Sequence, residues 1–321
     1  MARPGNWSKA GGENFTGIVA GSVRAPAFAG MFYPADRAAC AQSAASYVRS
    51  RQSSSSEKLS ADNEFRERWL GGIVPHAGWV CSGAIAGEVI AALAEHVTPE
   101  VVVVFGAIHT PFDIDRAALA SYERWQAPAG ASAADADVTA RLAGISRRFE
   151  IEDRLHANEH AVEVELPLIQ VAWPDAQVLP VEVPVIESAI EIGTLVARVI
   201  AASDRSAVYL ASSDLTHYGP AYRMTPAGVG VEALEWAMEN DRRLLRMVTE
   251  MRAEQVVSEA RSRLNACGGG AIAAMLAACQ EAGATSAKVL RHANSYETLR
   301  DAGYSQPADN AVGYAGVIVG R

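Results

Sequence analysis

Three short histidine segments stand just past apolar runs that read as buried strands. They are Gly72-Ile73-Val74-Pro75-His76, Val101-Val102-Val103-Val104-Phe105-Gly106-Ala107-Ile108-His109 and Val208-Tyr209-Leu210-Ala211-Ser212-Ser213-Asp214-Leu215-Thr216-His217. In an open α/β sheet, ligands bind in the crevice beyond the carboxyl ends of the strands. Histidines delivered to that edge can share one pocket. Imidazole is the commonest side chain for holding a transition metal and for moving protons near neutral pH.

Each candidate carries a competing structural reading. His76 lies between Pro75 and the small pair Ala77-Gly78, a sharp turn that lets another group come close. His109 ends the most apolar strand and is either buried with a partner or lines the crevice. Asp214 stands three residues before His217. A carboxylate can orient an imidazole and raise its basicity, which suits a general acid/base pair, whereas a turn cap is the bland role. Ser212 and Ser213 lack the Gly-x-Ser-x-Gly elbow of a hydrolytic nucleophile. His156 and His160 are four apart and would share a helix face, but the Glu of His-Glu-x-x-His is not in place, so a metalloprotease is rejected. His160 near a helix start either supports the pocket or is a solvated cap. Cys267 precedes Gly268-Gly269-Gly270 and a helix, and a helix N-terminus favours a thiolate. Such a thiolate would complete a site with His76 and His109; the alternative is a buried, inert cysteine. Cys40, Cys81 and Cys279 read as packing residues.

The elements that must position these groups alternate along the chain. Apolar patterning predicts strands near 71–74, 101–105, 177–183, 207–211, 287–292 and 311–319. Helices are expected near 38–49, 84–95, 133–143, 161–171 (with Pro167 kinking or breaking it), 189–202, 233–247, 253–260 and 271–282, with Asp36 capping the first. The expectation is a single α/β domain over 22–321, with a largely parallel central sheet and helices on both faces. Residues 1–21 read as a flexible leader and 50–63 as a mobile, serine-rich surface loop.

Composition excludes several classes. Half of the residues are hydrophobic, enough for a large core, and the formal net charge is -9. No basic stripe suits a nucleic acid. No apolar run approaches the roughly 20 residues that span a bilayer. The four cysteines match no zinc ribbon and no disulfide scaffold, so a reduced, cytoplasmic protein is expected.

Together the motifs resemble the Memo family, in particular its bacterial and archaeal branch called AmmeMemoRadiSam system protein B. The likeness rests on Pro26-Ala27-Phe28-Ala29-Gly30-Met31-Phe32-Tyr33-Pro34, Val74-Pro75-His76-Ala77-Gly78-Trp79-Val80-Cys81-Ser82-Gly83, Gly106-Ala107-Ile108-His109, Glu159-His160-Ala161-Val162-Glu163-Val164-Glu165-Leu166-Pro167, Ser212-Ser213-Asp214-Leu215-Thr216-His217-Tyr218-Gly219 and Asn265-Ala266-Cys267-Gly268. It covers about Ala25 to Val319. The resemblance implies a fold like that of class III extradiol dioxygenases. It also implies a pocket in which His76, His109 and Cys267 bind iron or copper, with Asp214 and His217 beside them. Ring-cleaving dioxygenases use two histidines and a carboxylate; a thiolate at the third position is softer, favours copper(I) or zinc, and is oxidisable.

The leading expectation is therefore a metal-dependent, dioxygenase-like redox enzyme, with His217 and Asp214 as acid/base and His160 supporting the pocket. Its ligand is a small molecule or peptide, and the resemblance suggests other AmmeMemoRadiSam system proteins as partners. The alternative is a non-catalytic peptide- or protein-binding scaffold that retains the pocket. A weaker reading is a metal-assisted hydrolase with His217 as base.

Overall fold

The longest β-branched run, Val101 to Val104, lies at the centre of a nine-stranded sheet, where every side chain is covered on both faces. A computed structural model describes residues 22–54 and 68–321. The expected leader over 1–21 and residues 55–63 of the expected loop lie outside the described residues. The first half of the chain contains β1 (Val23–Arg24), α1 (Arg37–Ser54), β2 (Trp69–Val74), α2 (Trp79–Ala94), β3 (Val101–Gly106), β4 (Ala117–Leu119), β5 (Arg124–Ala127), β6 (Gly130–Ala133), α3 (Ala136–Ile145), β7 (Phe149–Ile151) and α4 (Asp153–Ala157). The second contains α5 (Leu166–Ala172), β8 (Gln177–Glu182), α6 (Ala189–Ala201), β9 (Ala207–Ser212), β10 (His217–Tyr218), α7 (Val231–Thr249), α8 (Ala253–Arg263), α9 (Gly269–Glu281), β11 (Ser286–Asn294), α10 (Ser295–Asp301) and β12 (Ala311–Gly320).

The large sheet runs β10-β12-β2-β9-β3-β8-β4-β7, with β11 also on β12. Its middle strands β2, β9, β3 and β8 are parallel. Antiparallel pairings attach β12 to β2 and β4 to β8, so the sheet is mixed rather than largely parallel. Apolar periodicity reports burial and carries no strand direction, which is why the flanks could not be oriented from it. A small second sheet joins β1, β5 and β6.

Alternation along β3 divides the core. Val101, Val103 and Phe105 pack with residues of α6, α8 and α9, while Val102 and Val104 pack with residues of α1, α2 and α5. Helices therefore cover both faces, and the described residues form one α/β domain. Asp36 does cap α1, accepting from the Ala39 N–H at 2.9 Å. This helix continues to Ser54, into the segment expected as loop. Pro167 breaks the expected 161–171 helix: a 3₁₀ turn at Glu163–Glu165 precedes α5, which carries the proline in its first turn.

Candidate metal centre

β2 and β3 end at neighbouring positions of the sheet edge, separated by β9, and the chain just beyond each carries a histidine. His76 and His109 meet there with ring centroids 4.9 Å apart. His160 joins them, 5.1 Å from His76 and 4.4 Å from His109. One ring nitrogen from each of the three lies within 4.8 Å of those of the other two. His160 completes a three-histidine group, and Cys267, the third ligand expected from the sequence, stands beside it. α4 ends at Ala157, so His156 and His160 share no helix face. His156 is buried, its Nε2–H donating to the Ala118 carbonyl at 3.1 Å.

One carboxylate fixes two of these rings. Glu159 Oε1 accepts from His109 Nδ1 at 2.9 Å and from His160 Nδ1 at 3.1 Å. The same carboxylate takes backbone N–H groups from His109 (2.5 Å), Thr110 (3.2 Å), His160 (2.8 Å) and Ala161 (3.3 Å). An ionised carboxylate only accepts, so both Nδ1 atoms carry a proton, and Nε2 is the nitrogen of each ring left to bind a metal once it holds no proton. Burial opposes the charge on Glu159, but the His109 and His160 bonds prevail and hold it far below the usual carboxylate range.

His76 reaches the same state by another route. Ser212 Oγ donates its one proton to the Ala161 carbonyl at 2.6 Å, so it accepts from His76 Nδ1 at 3.0 Å. Burial, then the neighbouring His109 and His160, push the His76 pKa well below its ordinary value. A neutral imidazole with a bare Nε2 is the form that binds a metal. The Asp214 carboxylate accepts the His76 backbone N–H at 2.9 Å, which fixes the turn after β2.

Cys267 sits one residue before the N-cap of α9, with Sγ 3.3 Å from His76 Nε2. Its N–H donates to the Asp214 carbonyl at 3.2 Å. Gly268 follows without a side chain because a Cβ there would stand 2.7 Å from Ser213 Cβ. The Cys267 thiol also bonds the His109 ring. Burial alone would lower the His109 pKa, but Cys267 and Glu159 push it up to about 10.

The expected Asp214–His217 pair is not what orients His217. Its Nδ1–H donates to the Leu215 carbonyl at 3.0 Å, which leaves Nε2 outside that bond. His217 and Cys267 line a cleft of about 240 Å³ with Tyr222, Arg223, Met224 and Leu264. All four cysteines are free, and Cys40 and Cys279 are buried as expected of packing residues.

A second layer lies behind Glu159. The Arg24 guanidinium is buried and donates to the carbonyls of His156 (3.0 and 3.1 Å) and Glu159 (2.7 Å). It pairs with Glu163, which also accepts from Ala27 N, Phe28 N and Tyr33 Oη at 2.7–2.9 Å. That bracing sets Phe28 and Phe32 against His160, at 5.3 and 4.5 Å. Glu182, at the end of β8, is fully buried 3.9 Å from His156 Nδ1. Burial and the nearby Glu159 charge raise its pKa well above the usual range. Sequence reasoning assigned no role to Glu159, Arg24 or Glu182. The only sequence signal was the adjacency of Glu159 to His160.

The family model described as "Memo-like protein" matches residues 24–318. The chain belongs to the Memo family. Among its relatives, a MEMO1 family protein of Methanosarcina barkeri is 31% identical over 303 residues, covering 92% of this chain and 100% of that protein. A MEMO1 family protein of Pyrobaculum arsenaticum is 31% identical over 304 residues, covering 93% and 99%. One from Thermococcus onnurineus is 28% identical, covering 92% and 99%. The match to the Memo model begins at Arg24 and so takes in the second layer as well as the cluster.

Proposed function

We propose that this Memo family protein holds one transition-metal ion at His76, His109 and His160, with Cys267 as a further ligand, and performs dioxygenase-like redox chemistry on a substrate bound in the adjoining cleft. The observation that carries the reading is the anchoring of the clustered rings: all three Nδ1 atoms are committed to fixed acceptors, which leaves each Nε2 as the donor to a metal, with His109 releasing its second proton on binding. Carboxylate–histidine–metal arrays use the same device to orient ligands. Imidazole with one thiolate suits iron, copper or zinc. Iron or copper would supply one-electron chemistry there.

The chain's own groups have separate tasks. Glu159 and Ser212 fix the orientation of the three rings through their Nδ1 atoms. His217, with a free Nε2 in the cleft, accepts or returns a substrate proton. Asp214 fixes the turn that carries His76. Phe28 and Phe32 pack against the His160 ring.

Metal analysis of protein purified without a histidine tag tests the reading. Near-stoichiometric iron or copper is expected, with a paramagnetic resonance signal that changes on reduction. Metal content unchanged in a His76→Ala, His109→Ala, Cys267→Ala triple variant would overturn the site. A redox-silent metal alone would overturn the chemistry.

A further inference from the structure

The two loops that line the cleft are tied to one helix. α7 places two polar residues, Asn240 and Asp241, in its buried face, where unpartnered polar groups are costly. Their bonds go to the cleft loops. Asn240 Nδ2 donates to Thr216 Oγ1 at 3.2 Å and to the Arg263 carbonyl at 3.0 Å. The backbone carbonyl of Asn240 accepts from Asn265 Nδ2 at 2.9 Å, a bond that any residue at this position of α7 keeps. Asp241 Oδ1 accepts the Thr216 N–H at 2.9 Å, and its Oδ2 faces His292 Nε2 at 3.1 Å. β12 leaves room for this carboxylate at Gly313, where a Cβ would stand 2.1 Å from Oδ2.

Thr216 is the residue before His217, and Asn265 is two before Cys267. The loops also touch each other through Cys267 N–Asp214 O and Gly268 N–Ser213 Oγ. We propose that Asn240 and Asp241 are positioning residues that fix the His217 loop and the Cys267 loop against each other, and so set where the Cys267 thiol stands relative to the histidine cluster and the cleft. The proposal deepens the reading above and rests on it for the role of the cleft. An apolar pair would suit helix packing alone; a buried polar pair whose side-chain bonds go to Thr216, to the last carbonyl of α8 just before the Cys267 loop and to one histidine selects a geometry.

The test uses the whole protein, metal-free and loaded with Co(II). In the metal-free protein, the iodoacetamide alkylation rate of Cys267 is read by peptide mass spectrometry. In the loaded protein, the thiolate-to-cobalt absorption band and the Co(II) affinity are read. Asn240→Ala and Asp241→Ala are expected to change the alkylation rate, weaken the band and lower affinity by about tenfold or more. Asp241→Asn keeps an acceptor for Thr216 N–H and is expected to behave nearly as the parent. Where an alanine variant does not fold, Thr216→Val removes the acceptor of Asn240 at constant shape, and Thr216→Ser restores it. A folded Asn240→Ala protein with parental alkylation and band overturns the proposal, as does Thr216→Val indistinguishable from Thr216→Ser. Absence of Co(II) binding by the parent overturns the metal reading instead, and the alkylation series still decides this one.

Discussion

Glu159 is the residue on which the cluster depends most directly, because its carboxylate orients two of the three imidazoles and closes four backbone N–H bonds. Glu159→Gln keeps the shape but replaces one acceptor oxygen by an NH₂ that opposes the donors around it. Metal affinity is expected to fall by about 10- to 100-fold, read by competition with a chelator, with the rings present but released to rotate. Glu182 makes the opposite case. It is buried, has no basic side chain bonded to it among the described residues, and its pKa is raised. A folded-state pKa above the unfolded value means the native protein binds the proton more tightly. Native stability then declines as pH rises from the unfolded value, near 4.3, toward the folded one. His156 donates its Nε2–H to Ala118, so its Nδ1 is a bare acceptor facing Glu182. A neutral amide can donate to it. Glu182→Gln is therefore expected to gain stability relative to the parent as pH increases above about 4, measured by urea unfolding across a pH series. A difference independent of pH would refute a protonated Glu182.

At the scale of elements, the site is held by a loop with little regular structure. The segment from His156 to Glu163 carries Glu159 and His160, and Arg24 grips it through two carbonyls while pairing with Glu163. Arg24→Ala would leave Glu163 charged and buried without its partner, a class of change that costs about 3–5 kcal/mol. That loss should be seen in denaturant unfolding, and metal affinity should drop in the fraction that remains folded. A wild-type midpoint would contradict the bracing role. The same loop shows why sequence reading reached some elements and not others. β3, β9, α6 and α7 are long enough to repeat their apolar pattern, and their expected positions agree with the structure within a few residues. β4, β5 and β7 have three or four residues each, too few for a period to register. Strand ends marked His76 and His109 as pocket residues. His160 was also expected at the pocket, as a supporting residue near a helix start, and it stands among the imidazoles, in the chain between α4 and α5. The roles of Glu159 and Arg24 arise from contacts between segments more than a hundred residues apart in Arg24's case, which no local pattern encodes.

At the scale of the whole molecule, the cluster closes the chain on itself. Its groups come from behind β2, behind β3, from the loop before α5 and from the start of α9, while the bracing arginine comes from β1. Among the described residues, no helix is long and apolar enough to cross a membrane. No disulfide staples these segments, since the four cysteines are free. A ligand bound to all of them at once therefore binds the folded chain far more tightly than the unfolded one, and its free energy adds to global stability. At a free metal concentration 1,000 times the dissociation constant, the added stability is about 4 kcal/mol. With the usual unfolding entropy per residue, a chain of this size should then melt ~6 °C higher. The shift should track metal concentration logarithmically and be absent in the His76→Ala, His109→Ala, Cys267→Ala variant. It should shrink, without vanishing, in Cys267→Ser, because the three imidazoles remain anchored by Glu159 and Ser212 when the thiol is lost. Equal melting shifts in the parent and the triple variant would mean that the metal binds elsewhere on the surface, and the gathering of the three imidazoles would then need another ligand to explain it.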